Sequence, residues 1–238
     1  MPALLTLSGV VVGYGGGDVL RGVDLSVEEH SLVCIVGPNG AGKSTVLRAI
    51  SGLLRPRCGR ITFRGRPITD LGPRTILELG IVQVAQDRTL FPNMTVGENI
   101  LMGGYTIRDQ GLRNRRVAAV CDQFALVRER WKDKAGALSG GQQRLVEFAR
   151  ALMLDPSVLL LDEPLTGLEP KTYHLVVDMI TMMHRAGRTI VLVEQNARTG
   201  LGIASHGVVM ENGCVRLQGS GPEVLGNPEV ARLYLGMS

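Results

Sequence analysis

An α/β fold around a mainly parallel sheet, with an antiparallel β subdomain and a helical insertion, is predicted by three features of the chain. Short unbroken apolar runs recur, among them residues 158–161 and 189–193, as expected of strands buried on both faces. Segments of helical period lie between these runs. A glycine-rich loop at Gly37 joins one such run to a helical segment.

In chain order, residues 4–12 and 19–27 read as strands joined by the turn Gly13-Tyr14-Gly15-Gly16-Gly17-Asp18, the beginning of the antiparallel part. Residues 31–36 form a third strand that runs into Gly37. Val46, Leu47, Ile50 and Leu54 then recur at helical spacing over residues 44–54. Residues 59–65 and 80–84 are further strands. The stretch 94–134 carries helical patterns and few strand signals, which marks an insert. A helix follows Ser139 to about residue 154, with Leu145, Ala149 and Leu152 on one face. The strands at 158–161 and 189–193 come next, with a helix near 171–185 between them. One domain over residues 1–238 results, in which 1–86 and 155–238 form the core with its β subdomain and 87–154 a helical subdomain.

Composition narrows the classes. With 238 residues, 45% apolar and 20% charged, the chain can bury a full core and is not disordered. Glycine is abundant but shows no triplet period, which excludes collagen. No apolar run approaches the roughly 18–20 residues of a membrane-spanning helix. The start, MPALLTLSG, lacks the charged and apolar regions of a secretory leader. Cys34, Cys58, Cys121 and Cys214 are far apart and form no CxxC pair, so a reducing cytosol is expected. The four histidines show no ligand spacing. The net charge of +4 and the cluster Arg108, Arg113, Arg115 and Arg116 read as a solvated helical face.

Three motifs carry chemistry. Gly37-Pro38-Asn39-Gly40-Ala41-Gly42-Lys43-Ser44-Thr45 has the GxxxxGK[ST] spacing of a phosphate loop, between a strand and a helix as that motif requires. Its glycines let consecutive N–H groups face an anion, and the helix adds its positive end. Lys43 reaches the β- and γ-phosphates, and the Ser44 hydroxyl holds Mg²⁺. The second motif, LLLDEP, ends a buried strand in Asp162 and Glu163. Paired carboxylates there need a compensating cation, since desolvation and mutual repulsion disfavour both. Asp162 is therefore assigned to the metal and Glu163 to the attacking water. In the third, LSGGQQ, Ser139 caps a helix that Gly140 and Gly141 open, a second anion-binding helix end.

Together GPNGAGKST, LSGGQQ and LLLDEP resemble the ATP-binding subunit of ABC transporters over essentially the whole chain. The resemblance implies a P-loop, RecA-like core and ATP hydrolysis coupled to transport. It implies that Tyr14 stacks on adenine. Gln86 contacts Mg²⁺ and water and links the core to the insert. Ser139, Gly140, Gly141 and Gln142 contact a nucleotide held by a second ATPase subunit. Glu169 stands at the dimer contact where the family has aspartate, and Gln195 stands near the γ-phosphate where most relatives have histidine. Glutamine donates and accepts but cannot become cationic.

The segment Leu192-Val193-Glu194-Gln195-Asn196, the stretch FPNMTV at 91–96 and ARLYLG at 231–236 resemble importers of branched-chain and other hydrophobic amino acids; related branches carry amides or urea. That subfamily implies a second, different ATPase subunit, two integral membrane subunits, an external binding protein, no nucleic acid, and a place at the cytoplasmic face of the inner membrane. Two other classes are a non-transport ABC ATPase and a nucleotide-gated module with little turnover. The single cassette, the lack of a long coiled-coil insertion, and the intact Lys43, Asp162 and Glu163 argue against them. No NKxD guanine-reading motif occurs, which disfavours a GTPase. The Gly13–Gly17 run precedes a strand, not a helix, so it is not a dinucleotide fingerprint.

Overall fold

The computed structural model describes residues 3–87 and 89–230; the stretch at 231–236 lies outside them. Strands β1 (Leu5–Gly13) and β2 (Asp18–Val27) form the expected hairpin. β3 (Leu32–Val36) runs into the phosphate loop and α1 (Lys43–Ile50). β4 (Cys58–Phe63), β5 (Arg66–Pro67), α2 (Pro73–Glu78) and β6 (Ile81–Val84) follow. The insert holds α3 (Val96–Gly103), α4 (Gln110–Gln123) and α5 (Ala125–Glu129). After α6 (Gly140–Leu152) come β7 (Val158–Asp162), α7 (Pro170–Arg185), β8 (Thr189–Glu194) and α8 (Ala197–Ile203). The described chain closes with β9 (His206–Glu211), β10 (Cys214–Ser220) and α9 (Gly221–Leu225).

Two sheets result. One is antiparallel with order β2-β1-β4-β5; the other has order β10-β9-β3-β8-β7-β6. In the second, every pairing is parallel except that of β10 with β9. β8 thus lies between β3 and β7, with Val36 beside Glu194 and Asp162 beside Val193. That register brings three strand ends to one edge, and the carboxyl ends of parallel strands are where such sheets bind ligands.

The apolar runs are explained by burial on both faces. Leu32, Cys34, Leu159, Leu161, Ile190 and Leu192 enter one core, with α6, α7 and the insert helices. The alternating residues Val33, Ile35, Val158, Leu160, Val191 and Val193 enter another, with α1 and the antiparallel sheet. Alternation across a two-sided sheet requires this sorting.

The structure departs from the sequence reading at element ends. α1 stops at Ile50 rather than residue 54, where the Ser51 N–H closes on the Leu47 carbonyl. The helices α2 and α8 and the strands β9 and β10 were not expected. β10 is half-exposed along its length and lacks an apolar run. Of α4, only Val120 is buried among the described side chains; Arg115 is exposed, but Arg113 and Arg116 are half-buried and Arg116 is paired to Asp155 at 2.6 Å, so the arginines are not uniformly the solvated face expected.

Candidate functional site

The phosphate loop is shaped by its backbone. Gly42, with φ 99°, caps α1, and a Cβ there would meet Leu20 Cδ2 at 2.8 Å; only glycine satisfies both conditions. α1 has no acidic residue in its first turn, so its positive end faces the loop uncompensated. Lys43 is buried, and its Nζ donates to the carbonyls of Gly37 (2.9 Å) and Pro38 (3.2 Å), 3.8 Å from Glu163 Oε1. A cation with this few neutral partners is suited to an entering anion.

Ser44 Oγ donates to Asp162 Oδ1 at 2.8 Å across two elements 118 residues apart. Burial pushes the Asp162 carboxyl up, the Ser44 hydroxyl pulls it back, and Glu163 adds to the rise. Glu163 follows β7 at φ 43°, a left-handed conformation unusual for glutamate, with its N–H donated to the Val193 carbonyl at 2.9 Å. Backbone strain of this kind concentrates at functional sites. Glu163 Oε2 accepts from Gln86 Nε2 at 3.0 Å and from Thr166 Oγ1 at 3.3 Å.

A cleft of about 510 Å³ gathers Asn39, Lys43, Ser44, Gln86, Glu163 and Gln195, within the size range of small-ligand sites. Tyr14 stands nearby, 54% exposed; its hydroxyl accepts from Arg48 Nη1 at 2.8 Å and lies 3.4 Å from Thr45 Oγ1. The Arg48 guanidinium lies over the ring, 5.9 Å from its centroid, and tethers the aromatic to α1. Among the described residues no cluster of three His, Cys, Asp or Glu could hold a metal alone. Ser44, Asp162 and Gln86 offer a few hard oxygen donors, the donor set that suits Mg²⁺ when phosphates and water complete its shell.

The other predicted residues lie apart. Ser139 closes a capping box with Gln142: its Oγ accepts the Gln142 N–H at 3.4 Å, and Gln142 Oε1 accepts the Ser139 N–H at 3.0 Å. Neither these two nor Gly140 or Gly141 line the cleft. Gly141 packs so closely on α7 that a Cβ would sit 2.2 Å from Thr172 Cγ2. Glu169 is exposed at the start of α7 and makes no side-chain cap.

Four polar residues at this site escaped the sequence reading. Thr166 lines the cleft and contacts Glu163. Arg144 and Glu147 form a buried pair at 2.8 Å on α6. Arg144 also donates to Ala85 O at 2.9 Å, and Glu147 accepts the Thr89 N–H at 2.6 Å, so α6 grips the Gln86 segment on both sides. Glu194 is fully buried at the end of β8 and accepts the Leu165 N–H at 3.0 Å. Burial pushes its carboxyl up to about 7, against the pull of the Leu165 N–H and with help from the Glu163 charge. The signal available was the one used for Asp162 and Glu163, a carboxylate closing a continuous apolar strand.

The fold and the cleft define a P-loop nucleotide-binding ATPase. Residues 20–166 match a family model described as ABC transporter. The chain belongs to the ABC transporter family, as an ATP-binding, ATP-hydrolysing component. It is 36% identical to the high-affinity branched-chain amino acid transport ATP-binding protein BraG of Pseudomonas aeruginosa, over 98% of this chain and 100% of the relative. A probable branched-chain amino acid transport ATP-binding protein, LivF of Archaeoglobus fulgidus, is also 36% identical, over 94% and 95%. Among solved structures, an ATP-binding cassette of an ABC transporter in its ADP conformation superposes with a TM-score of 0.88 at 30% identity, covering 100% of both chains. A nucleotide-free cassette gives 0.86 at 30% identity, over 99% and 100%. Among the described residues no helix is long and apolar enough to cross a membrane.

Proposed function

We propose that this ATPase drives an importer of branched-chain or other hydrophobic amino acids, with amides or urea as the alternative cargo. The observation that carries the hydrolytic part is the convergence of Lys43, Ser44–Asp162 and Gln86–Glu163 in one cleft. The names of the full-length relatives support the cargo.

On this reading the phosphates enter over the loop from Gly37 to Thr45, Lys43 turns from its carbonyl partners to the β- and γ-oxygens, and Tyr14 stacks on adenine. Ser44, Asp162 and Gln86 would hold Mg²⁺ there, and the ion would supply neutralisation of charge on the phosphoryl oxygens. Glu163 orients the attacking water and takes its proton as the bond from the γ-phosphorus to the leaving ADP oxygen breaks. Gln195 faces the γ-phosphate as a neutral donor. Ser139, Gly140, Gly141 and Gln142 complete the site of a second ATPase subunit, which in turn completes this one, and Glu169 meets that subunit at the contact.

Residues 87–154 act as a helical subdomain against a core of 1–86 and 155–238. A groove of about 330 Å³ beside the Gln86 segment, bordered by the exposed Phe91, Met102 and Tyr105, receives a cytoplasmic helix of a membrane subunit. The assembly then comprises this chain, a different ATPase subunit, two membrane subunits and an external binding protein, at the cytoplasmic face of the inner membrane.

Deletion of the gene in a strain without a redundant importer, followed by uptake of labelled leucine, isoleucine, valine, amides and urea, tests the proposal. Loss of leucine uptake is expected. Intact leucine uptake with lost urea uptake moves the cargo to the neighbouring branch, and intact uptake of all of them overturns the transport reading.

A further inference from the structure

Glu194 has a place in the fold that the hydrolytic assignment leaves unused. β8 is the strand between β3, which leads into the phosphate loop, and β7, which ends in Asp162 and Glu163. Glu194 is its last residue, 1% exposed, and the next residue, Gln195, opens onto the nucleotide cleft. Its carboxylate reaches sideways to the next segment, where Oε1 accepts the N–H of Leu165, two residues beyond Glu163. The Gln195 N–H also stabilises the anion. One buried group therefore ties the backbone after Glu163 to the end of β8, next to Gln195.

We propose that Glu194 is a positioning residue for ATP hydrolysis, tying the segment after Glu163 to Gln195 so that both side chains face the γ-phosphate in one arrangement. The inference rests on the hydrolytic roles given above to Glu163 and Gln195. Leu165 is itself buried, and the Glu163 backbone is separately pinned to Val193 of β8. The Leu165 tie therefore sets how the chain leaves that pin toward Thr166, whose hydroxyl contacts Glu163 Oε2. Without the tie, the Leu165 N–H is left buried and unpaired, and the segment must shift to satisfy it.

The group is also placed to make hydrolysis depend on pH. Its carboxyl titrates at about 7 because burial disfavours the charge. The groups that face it are Glu163 after β7, Arg144 of α6 and the Cys34 thiol of β3, with Tyr173 of α7 and Arg198 of α8 across an adjoining cleft of about 540 Å³. Above that pH the carboxylate is an ionised acceptor, and charge-assisted hydrogen bonds are roughly twice as strong as neutral ones. The tie tightens, so turnover rises through a step centred near 7.

The test measures kcat, KM for ATP and the pH profile of ATP hydrolysis by the purified transporter complex carrying wild type, Glu194→Ala, Glu194→Gln or Glu163→Gln. Glu194→Ala is expected to lower kcat by roughly 10- to 100-fold with KM nearly unchanged, the signature of lost positioning rather than lost binding. Glu194→Gln keeps an acceptor for the Leu165 N–H and restores kcat to within about threefold of wild type, but its profile loses the step near 7. Wild-type kcat in a folded Glu194→Ala complex, or a step retained in Glu194→Gln, overturns the proposal. If the alanine variant does not fold, the glutamine profile alone decides. If Glu163→Gln stops turnover and Glu194→Ala does not, only the positioning role falls; if Glu163→Gln turns over normally, the hydrolytic reading beneath it fails.

Discussion

At the Lys43 end of the cleft the chain supplies its own partners: Lys43 is buried against two carbonyls, Ser44 is bonded to Asp162, and Gln86 to Glu163. At the Ser139 end the same chemistry, a helix start opened by glycines, is capped by its own Gln142 and faces no side chain of the cleft. Both helices lack acidic residues in their first turns, so both present an uncompensated positive end. One is embedded among polar and charged groups from three other segments, at Gln86, at Asp162 to Thr166 and at Gln195. The other has a rigid footing, through Gly141 on Thr172 and the buried Arg144–Glu147 pair, but an open tip. A tip held this firmly, closed only by its own capping box and set apart from the cleft, suits a contact made by rigid-body docking, which is how the proposed second subunit would use it.

The contrast can be broken at either end. The largest effect is expected from Glu163→Gln, which removes the proposed base but leaves the loop from Gly37 to Thr45 intact. Turnover should fall by about 10²–10⁴-fold while ATP still binds, as single-turnover hydrolysis and nucleotide-binding titration can check. Ser139→Arg attacks only the open tip. It should reduce turnover of the complex about 100-fold and abolish ATP-driven association of the ATPase subunits, with ATP affinity of the isolated chain unchanged within about threefold. Unimpaired association by that variant would remove the tip from the nucleotide contact.

Smaller changes probe the footing rather than the chemistry. Glycine 141 has no room for a methyl group beside Thr172, so Gly141→Ala should cost about 1–3 kcal/mol of stability, read from the denaturant midpoint. Ser139→Ala removes only the cap and should cost about 1 kcal/mol by the same measurement, a loss confined to the start of α6. A larger loss from Ser139→Ala than from Gly141→Ala would contradict the picture of a firm base beneath a loosely invested tip.

What could be read from residues alone was local. The phosphate loop is nine consecutive residues whose glycines, lysine and hydroxyl act through their own backbone and the helix that follows, so spacing is enough to specify them. The strands at 158–161 and 189–193 were legible for a similar reason, because burial on both faces demands an unbroken apolar run, and each extends one residue further, into Asp162 and Glu194. The cap at Ser139 and the carboxylates closing β7 belong to the same class of contiguous signal. Apolar runs do not state their order in the sheet, however, and many orders satisfy the same burial. Only the tertiary structure put β8 between β3 and β7, brought Gln86 to Glu163 across 77 residues, and set Arg144, Glu147 and Glu194 as buried charges around them. Glu194 is a single carboxylate closing an apolar strand, while Arg144 and Glu147 pair with each other within α6. The rest of their partners, Ala85, Thr89 and Leu165, come from other segments, and a buried charge is explained by such partners as much as by its neighbours in sequence.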